Sequence, residues 1–432
     1  MRPCARGLLA LHVLLWWVAP RLTVARPLVL VAGAQKAGTS SLAGYLHEVF
    51  RSELLPPRLD CQNGAFNETR FFVPLISPCT VNELLYGEHP DRCGLEAYDS
   101  CFGSSGHARA LEKSPDFLFW PHVPRILAAW LADRRSRVVV LLRDPVKRFL
   151  SDAAQSFLRW MHWIAPQDHP GILLNLVALS LRQASPLLQA AYGGGGAPGP
   201  RGWAAMWRGQ LQGACEADTL AARKEDGRLF LRRVMRPAFQ RAVLERRRRT
   251  MDWQALEATI LRDAFAPRSG AQDAEDGERR CWACSFEAFI LCYLANLFLQ
   301  GMYLPQLLNW LEVLAWFGEP PGWRFRVVQA ERLFDPGRQR RELRALTNWL
   351  DLGTDANGAL AAAADPTRPA LPHHAGAASA WSLSANASGE GILRRLRAAY
   401  RRPTRQLVLW LEEQPSLVNG VFERELWPSL YY

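Results

Sequence analysis

The chain contains a short segment whose residue types and spacing are suited to binding an anion. Residues 33–41 read GAQKAGTSS, with two glycines, a lysine and three hydroxyl side chains. The backbone N–H groups of such a loop at the start of a helix converge on an anion, and the helix dipole adds to the attraction. The segment therefore predicts a phosphate or sulfate site. The residues expected to form it are Gly33, Gln35, Lys36, Ala37, Gly38, Thr39, Ser40 and Ser41.

The position of the lysine distinguishes this segment from the phosphate loop of ATPases. In that loop, lysine directly follows the second glycine and precedes serine or threonine. Here Thr39 follows Gly38 directly, and Lys36 lies inside the loop. The glycine spacing favours a nucleotide kinase or NTPase, whereas the position of Lys36 opposes that interpretation.

A second candidate anion site follows a later apolar run. Arg143 comes directly after residues 138–142, and a helix is predicted over Val146–Leu158. Arg143 at the end of a strand and Ser151 on the helix are placed to contact one anion together. The alternative is that Arg143 pairs with Asp144 or another nearby carboxylate.

Both candidate sites lie between a predicted strand and a predicted helix. The runs 27–34 and 138–142 have the continuous apolar character of buried strands, and a third strand is predicted over 325–329, followed by a helix over 339–350. Repetition of strand and helix is typical of parallel sheets. The expected fold class is therefore α/β, a parallel sheet flanked by helices.

One large domain is expected over residues 26–432. A Trp- and Arg-rich stretch at about 160–280 differs in composition and is interpreted as a helical insertion. Residues 355–390 are rich in Ala, Gly, Ser and Pro and predict a long loop. Terminal helices are predicted over 392–400 and 406–411.

The N-terminal residues have the pattern of a secretory signal. Residues 1–25 begin with arginines, continue into an apolar run and end in small residues, which indicates a signal peptide or a signal anchor. Eight of the nine cysteines follow Cys4, so disulfides are expected, although the sequence does not determine their pairing. Glycosylation sequons at Asn67 and Asn386 are compatible with the same compartment.

The charge balance predicts an anionic partner. The formal net charge is +11 and comes mostly from arginine, which suits phosphate, sulfate and carboxylate groups. Nucleic acid is not expected, because the sequence has no zinc-finger spacing, RNA-binding signature or basic region with heptads. Cys281 and Cys284 lack a second CxxC or HxxxH, so no metal site is expected.

Two segments resemble the donor-binding motifs of sulfotransferases that use PAPS (3′-phosphoadenosine 5′-phosphosulfate). AGAQKAGTSSL resembles their 5′-phosphosulfate loop, and LLRDPVKRFLSD resembles their 3′-phosphate motif. Residues 27–160 and 285–350 also resemble the branch that sulfates heparan-type glycans in the Golgi lumen. The Lys-Gly-Arg loop of that family has no clear counterpart here. The segments that carry the closer resemblance are ETRFF at 68–72, LEKSP at 111–115, GMY at 301–303, LNWL at 308–311 and ERL at 331–333.

The resemblance implies a P-loop-like fold, a secretory or Golgi location, PAPS as the donor without a metal, and a carbohydrate acceptor such as a glycosaminoglycan. By the same resemblance, Lys36 assists departure of the nucleotide, and Arg143 and Ser151 bind its 3′-phosphate. Glu68 is expected to take the proton of the acceptor, with Lys113 near the sulfuryl group.

Several alternatives stay open. Besides a kinase or NTPase, the chain would fit a non-catalytic secreted protein that binds heparin or another acidic glycan. A glycan on Asn67 would leave Glu68 facing solvent. Independently of that, Lys113 could be an ordinary surface lysine. For four aromatic residues, core packing is favoured over sugar stacking; they are Phe71, Phe72, Trp310 and Trp316.

Overall fold

The computed structural model describes residues 26–62, 68–72, 95–103, 108–160, 297–352 and 387–430. The predicted signal segment, the asparagines of both sequons and almost all of the predicted insertion lie outside these residues. A disulfide joins Cys61 to Cys101, which is one of the pairings that the sequence leaves open. No helix in the described residues is both long enough and apolar enough to span a membrane.

The described residues form a five-stranded parallel sheet with flanking helices, which confirms the predicted α/β class. The strand order is β2-β3-β1-β4-β5. The strands are β1 (Leu28–Gly33), β2 (Leu54–Leu55), β3 (Arg109–Lys113), β4 (Arg137–Leu142) and β5 (Phe325–Gln329).

Ten helices lie wholly within the described part of the chain. Short 3-10 turns separate several of them. The helices are α1 (Thr39–Val49), α2 (Leu95–Asp99), α3 (Val123–Ile126), α4 (Ala128–Leu131), α5 (Pro145–Trp160), α6 (Tyr303–Leu314), α7 (Pro321–Arg324), α8 (Ala330–Leu333), α9 (Gln339–Trp349) and α10 (Ala387–Glu413).

The strand order brings the two predicted anion sites to the same crevice. From β1 the chain leaves towards β2 on one side of the sheet, whereas from β4 it leaves towards β5 on the other side. Ligands of open α/β sheets bind where neighbouring strands have connections that run in opposite directions. Ala34 N–H donates to the Leu141 carbonyl at 2.6 Å, so the loop that follows β1 begins against the end of β4.

The C-terminal helix differs from the prediction of two helices after a loop ending at residue 390. Residues 387–413 form one helix of 27 residues that contains Pro403. Proline removes one helical hydrogen bond, but packing of one apolar face stabilises the helix on both sides of it. The buried side chains of that face include Leu396, Tyr400, Leu407 and Leu411.

The core prediction for the aromatic residues is confirmed for three of four side chains. Phe72 and Trp310 are fully buried, and Phe71 is partly buried against the same core. Trp316 is 56% exposed, so the prediction was wrong there. This residue lies in the 3-10 turn that follows α6, where the chain turns away from the core.

Candidate functional site

The segment 33–41, here called the anion loop, connects the carboxyl end of β1 to the first turn of α1. Gly38 precedes the helix in a left-handed conformation with φ 92°, and no side chain caps the helix there. A Cβ atom at Gly38 would also overlap the ring of Phe334. Glycine is therefore required twice, for its backbone conformation and for the close approach of an aromatic ring.

Arg143 reaches the anion loop from the end of β4. Its Nη1 donates to the Lys36 carbonyl at 3.0 Å. Arg143 forms no ion pair with any described residue, so the alternative in which it pairs with Asp144 is wrong. Asp144 instead accepts hydrogen bonds from the backbone N–H groups of Val146 and Lys147 and thereby caps α5.

The backbone at Arg143 is held by residues from distant parts of the chain. The Tyr303 hydroxyl donates to the Arg143 carbonyl at 2.9 Å. Glu331 accepts from Asp144 N–H at 2.9 Å and from Trp427 Nε1 at 2.8 Å. Burial raises the pKa of Glu331, which these two hydrogen bonds partly oppose. Three separate segments therefore support the backbone that carries the Arg143 guanidinium.

Ser151 lies on the buried face of α5 with 6% of its surface exposed. No hydrogen bond connects Ser151 to Arg143 in the described part of the structure. The same face includes Arg148, which pairs with Asp152 at 3.1 Å and attaches α5 to Gln300. Shared contact of Arg143 and Ser151 with one anion stays a prediction.

Glu68 and Lys113 meet beside the anion loop. Lys113 Nζ donates to Ser40 Oγ at 2.9 Å and to Glu68 Oε1. Lys113 is fully buried and Glu68 is 3% exposed. The alternatives in which Lys113 is a surface lysine and Glu68 faces solvent are therefore wrong. Burial lowers the pKa of Lys113, and the charge of Glu68 opposes that effect.

Two further charged residues complete an ionic cluster with Glu68 and Lys113. Arg70 Nε donates to Glu68 Oε2 at 2.7 Å and lies 3.6 Å from Asp116 Oδ2. Burial raises the pKa of Asp116 to about 6, although the charge of Arg70 lowers it. Both oxygens of Glu68 therefore accept a hydrogen bond from a cation. An acceptor hydroxyl would therefore compete with Lys113 and Arg70 for the lone pairs of that carboxylate.

The residues of this cluster that the sequence does not identify are Arg70 and Asp116. Each stands within three positions of a predicted site residue, Arg70 after Glu68 and Asp116 after Lys113. A charged side chain next to residues that pack in a core indicates a buried ion pair, because buried charges are almost always paired. Their partnership is visible only when the segments meet.

Hydrogen bonds also fix the backbone of residues 68–72, here called the Glu68 segment. Glu112 Oε1 accepts Thr69 N–H at 3.2 Å, and Ser114 Oγ accepts Arg70 N–H at 3.0 Å. At the far end, His122 Nε2 donates to the Phe72 carbonyl at 3.0 Å. Burial lowers the pKa of His122 to about 4, so its ring is neutral at physiological pH.

Burial raises the pKa of Glu112 from 4.5 to about 8, which predicts a pH-dependent stability. The folded protein keeps a proton on Glu112 that the unfolded chain releases between these values, so the free energy of unfolding should fall as pH rises from about 4.5 to about 8. At about 1.4 kcal/mol per pKa unit, the contribution of Glu112 is on the order of 5 kcal/mol.

The Glu112→Gln variant cannot titrate at this position. It should match the wild type at pH 5 and be more stable than the wild type at pH 8, as measured by urea unfolding. Parallel loss of stability in both proteins across this range would contradict the assignment.

A scan against models of known protein families finds none that matches the chain. A search among curated proteins likewise finds no significant match. Among the described residues, no three His, Cys, Asp or Glu side chains are grouped as metal ligands. The site thus combines an anion loop, an arginine aimed at that loop and a carboxylate held beside it, a set suited to group transfer from an anionic donor.

Proposed function

We propose that the chain is a PAPS-dependent sulfotransferase of the secretory pathway or Golgi lumen, with a P-loop-like donor site and a carbohydrate hydroxyl or amine as the acceptor. The observation that carries the proposal is that Lys113 bonds to Ser40 of the anion loop and to Glu68. This contact brings a proton acceptor next to the loop that would bind the phosphosulfate. Transfer chemistry requires that proximity.

The donor would lie across the crevice between β1 and β4. In this proposal the anion loop binds the 5′-phosphosulfate, and Arg143 with Ser151 binds the 3′-phosphate. Support comes from the Arg143 guanidinium, which is half-buried, reaches the Lys36 carbonyl and has no ion pair among the described residues. Its remaining N–H donors are suited to a phosphate.

The proposed reaction is an in-line transfer. The acceptor oxygen or nitrogen attacks sulfur, the bond between sulfur and the bridging oxygen breaks, and the 3′,5′-bisphosphate leaves. Glu68 takes the acceptor proton. Lys36 stabilises the negative charge that accumulates on the bridging oxygen, because a preorganised ammonium group requires little reorganisation in the transition state.

Donor binding would also prepare Glu68 for its role. The anionic donor beside Ser40 competes with Glu68 for the Lys113 ammonium group, which already contacts both residues. Movement of Lys113 towards the sulfuryl oxygens would leave one Glu68 oxygen accessible to the acceptor. Arg70 stays bound to the other oxygen and keeps the carboxylate in place.

The first test is nucleotide binding by an Arg143→Ala variant. We expect the Kd for 3′,5′-bisphosphoadenosine to rise about 10- to 100-fold, because a charge-assisted hydrogen bond to phosphate is lost. Arg134→Ala is the matched control, since Arg134 precedes the opposite end of β4 and its side chain is 85% exposed. Calorimetry on both variants measures the difference, and equal affinities in the two would contradict the assignment.

The second test is transfer of labelled sulfate from PAPS to a panel of glycans. The proposal predicts transfer without added metal and tight binding of the bisphosphate nucleotide. Preferential binding of ATP with magnesium would instead support a nucleotide kinase or NTPase. Salt-sensitive binding of heparin with no binding of any nucleotide would support a non-catalytic glycan-binding protein.

A further inference from the structure

The end of β3 holds the Glu68 segment through consecutive residues on both sides of the strand. Lys113 bonds to the Glu68 side chain, whereas Glu112 and Ser114 bond to the backbone N–H groups of the next two residues, Thr69 and Arg70. Successive side chains of a strand point to opposite faces. The Glu68 side chain is therefore bound to a residue on one face of β3, and the backbone of Thr69 and Arg70 is bound to residues on the other face.

Glu112 links the backbone contacts to each other. Its Oε1 accepts the Thr69 N–H bond, and the Ser114 hydroxyl donates to the same oxygen. Because the Ser114 hydroxyl hydrogen points to Glu112, the lone pairs of Ser114 Oγ face Arg70 N–H. Arg70 N–H donates to Ser114 Oγ at 3.0 Å. Glu112 thus determines two consecutive backbone contacts directly after Glu68.

Glu112 forms no ion pair with another described residue. Its side chain is fully buried, and Oε2 has no hydrogen-bond partner in the described part of the chain. The titratable groups that interact with it are Glu68, Lys113 and Tyr98 of α2. Burial raises the pKa of Glu112 to about 8, so the group is mostly neutral at physiological pH. A neutral carboxyl group contributes through hydrogen-bond geometry rather than charge.

We propose that Glu112 is a positioning residue that sets the place of the Glu68 carboxylate by accepting the Thr69 N–H bond and orienting Ser114. In this proposal Glu112 acts through Glu68 and not by direct contact with the donor or the acceptor. The inference rests on the proposed function, in which Glu68 takes the proton of the acceptor.

Hydrogen exchange measured by mass spectrometry tests the positioning directly on the full chain. Glu112→Gln keeps the acceptor oxygen and the neutral state, whereas Glu112→Ala removes the acceptor. We expect the Thr69 and Arg70 amides to exchange about 10-fold faster or more in the alanine variant and within about 2-fold of the wild type in the glutamine variant. Ser114→Ala should accelerate Arg70 exchange without opening a cavity at Glu112.

Glu331→Ala is the matched control for general loosening. Glu331 is also a buried glutamate whose pKa is raised by burial. It accepts hydrogen bonds from Asp144 and Trp427 beyond the ends of β4 and β5, away from β3. This variant should leave exchange in the Glu68 segment unchanged. Equal acceleration by Glu331→Ala and Glu112→Ala, or equal acceleration by Glu112→Gln and Glu112→Ala, would overturn the proposal.

Kinetics then connect the position of Glu68 to the reaction. In Glu112→Ala, kcat should fall on the order of 10- to 100-fold because a catalytic group is displaced. The Kd for 3′,5′-bisphosphoadenosine should not change, and Glu112→Gln should restore kcat. Exchange requires no turnover, so a protein without transfer activity would refute the proposed function while the exchange data still decide the role of Glu112.

Discussion

Replacing Lys36 with alanine should lower the rate of sulfuryl transfer on the order of 100- to 1000-fold, while the Kd for 3′,5′-bisphosphoadenosine changes little. Removal of one preorganised group that stabilises transition-state charge has effects of this size. In the proposed donor site the product nucleotide would be held mainly by the loop amides and Arg143, so its binding should not depend on the lysine. Single-turnover transfer of labelled sulfate and calorimetry measure the two quantities separately.

Arg51→Ala is the matched control for this prediction. Arg51 is an exposed cation just beyond the end of α1, whereas Lys36 precedes the start of the same helix. Its replacement should change neither quantity. A Lys36→Ala protein with wild-type kcat would remove Lys36 from the mechanism, and a parallel loss of kcat and nucleotide affinity would assign it to donor binding instead.

Replacing Gly38 with alanine should abolish donor binding, with a rise in Kd of at least about 100-fold. The residue has φ 92°, where a Cβ atom is strained, and that Cβ atom would overlap the Phe334 ring. The anion loop has to move to relieve either conflict, and its N–H groups would then no longer converge on the proposed phosphosulfate. Isothermal titration with the bisphosphate nucleotide measures the loss.

Gly44→Ala provides the matched comparison on the helix that follows the anion loop. A Cβ atom at Gly44 would meet nothing within 4 Å, and the residue is helical. This variant should bind nucleotide normally and gain up to about 1 kcal/mol of stability from helix propensity. A Gly38→Ala/Phe334→Ala double variant relieves only the steric conflict, so it should recover part of the affinity. Normal nucleotide binding by Gly38→Ala alone would refute the structural requirement.

Three of the five strands could be predicted from the sequence, because each is a continuous apolar run. The predictions at 27–34, 138–142 and 325–329 agree with β1, β4 and β5 to within one residue at each end. Strands of a parallel sheet are buried on both faces, so a short continuous apolar run is typical of them.

The strand β3 could not be predicted in the same way. Its sequence RALEK contains three charged residues, yet every side chain in it is buried. Burial of these residues is tolerated because each finds a partner from elsewhere in the chain. Lys113 pairs with Glu68, and Arg109 donates to the Asp351 carbonyl at 2.9 Å. Burial raises the pKa of Glu112, which favours its neutral form, and the group accepts Thr69 N–H. No local pattern reveals those partners.

The anion loop, the arginine that follows a second strand and the α/β class were determined by the sequence alone, because glycine conformation, helix dipoles and apolar runs are local properties. The tertiary structure decided which groups meet. Arg143 contacts Lys36 across 107 residues, and Lys113 contacts Glu68 across 45. These contacts follow from the order in which the strands pair, with β3 and β4 on either side of β1. Strand pairing depends on packing over the whole sheet, so the buried ionic cluster and the contacts behind the proposed role of Glu112 form only once the sheet is assembled.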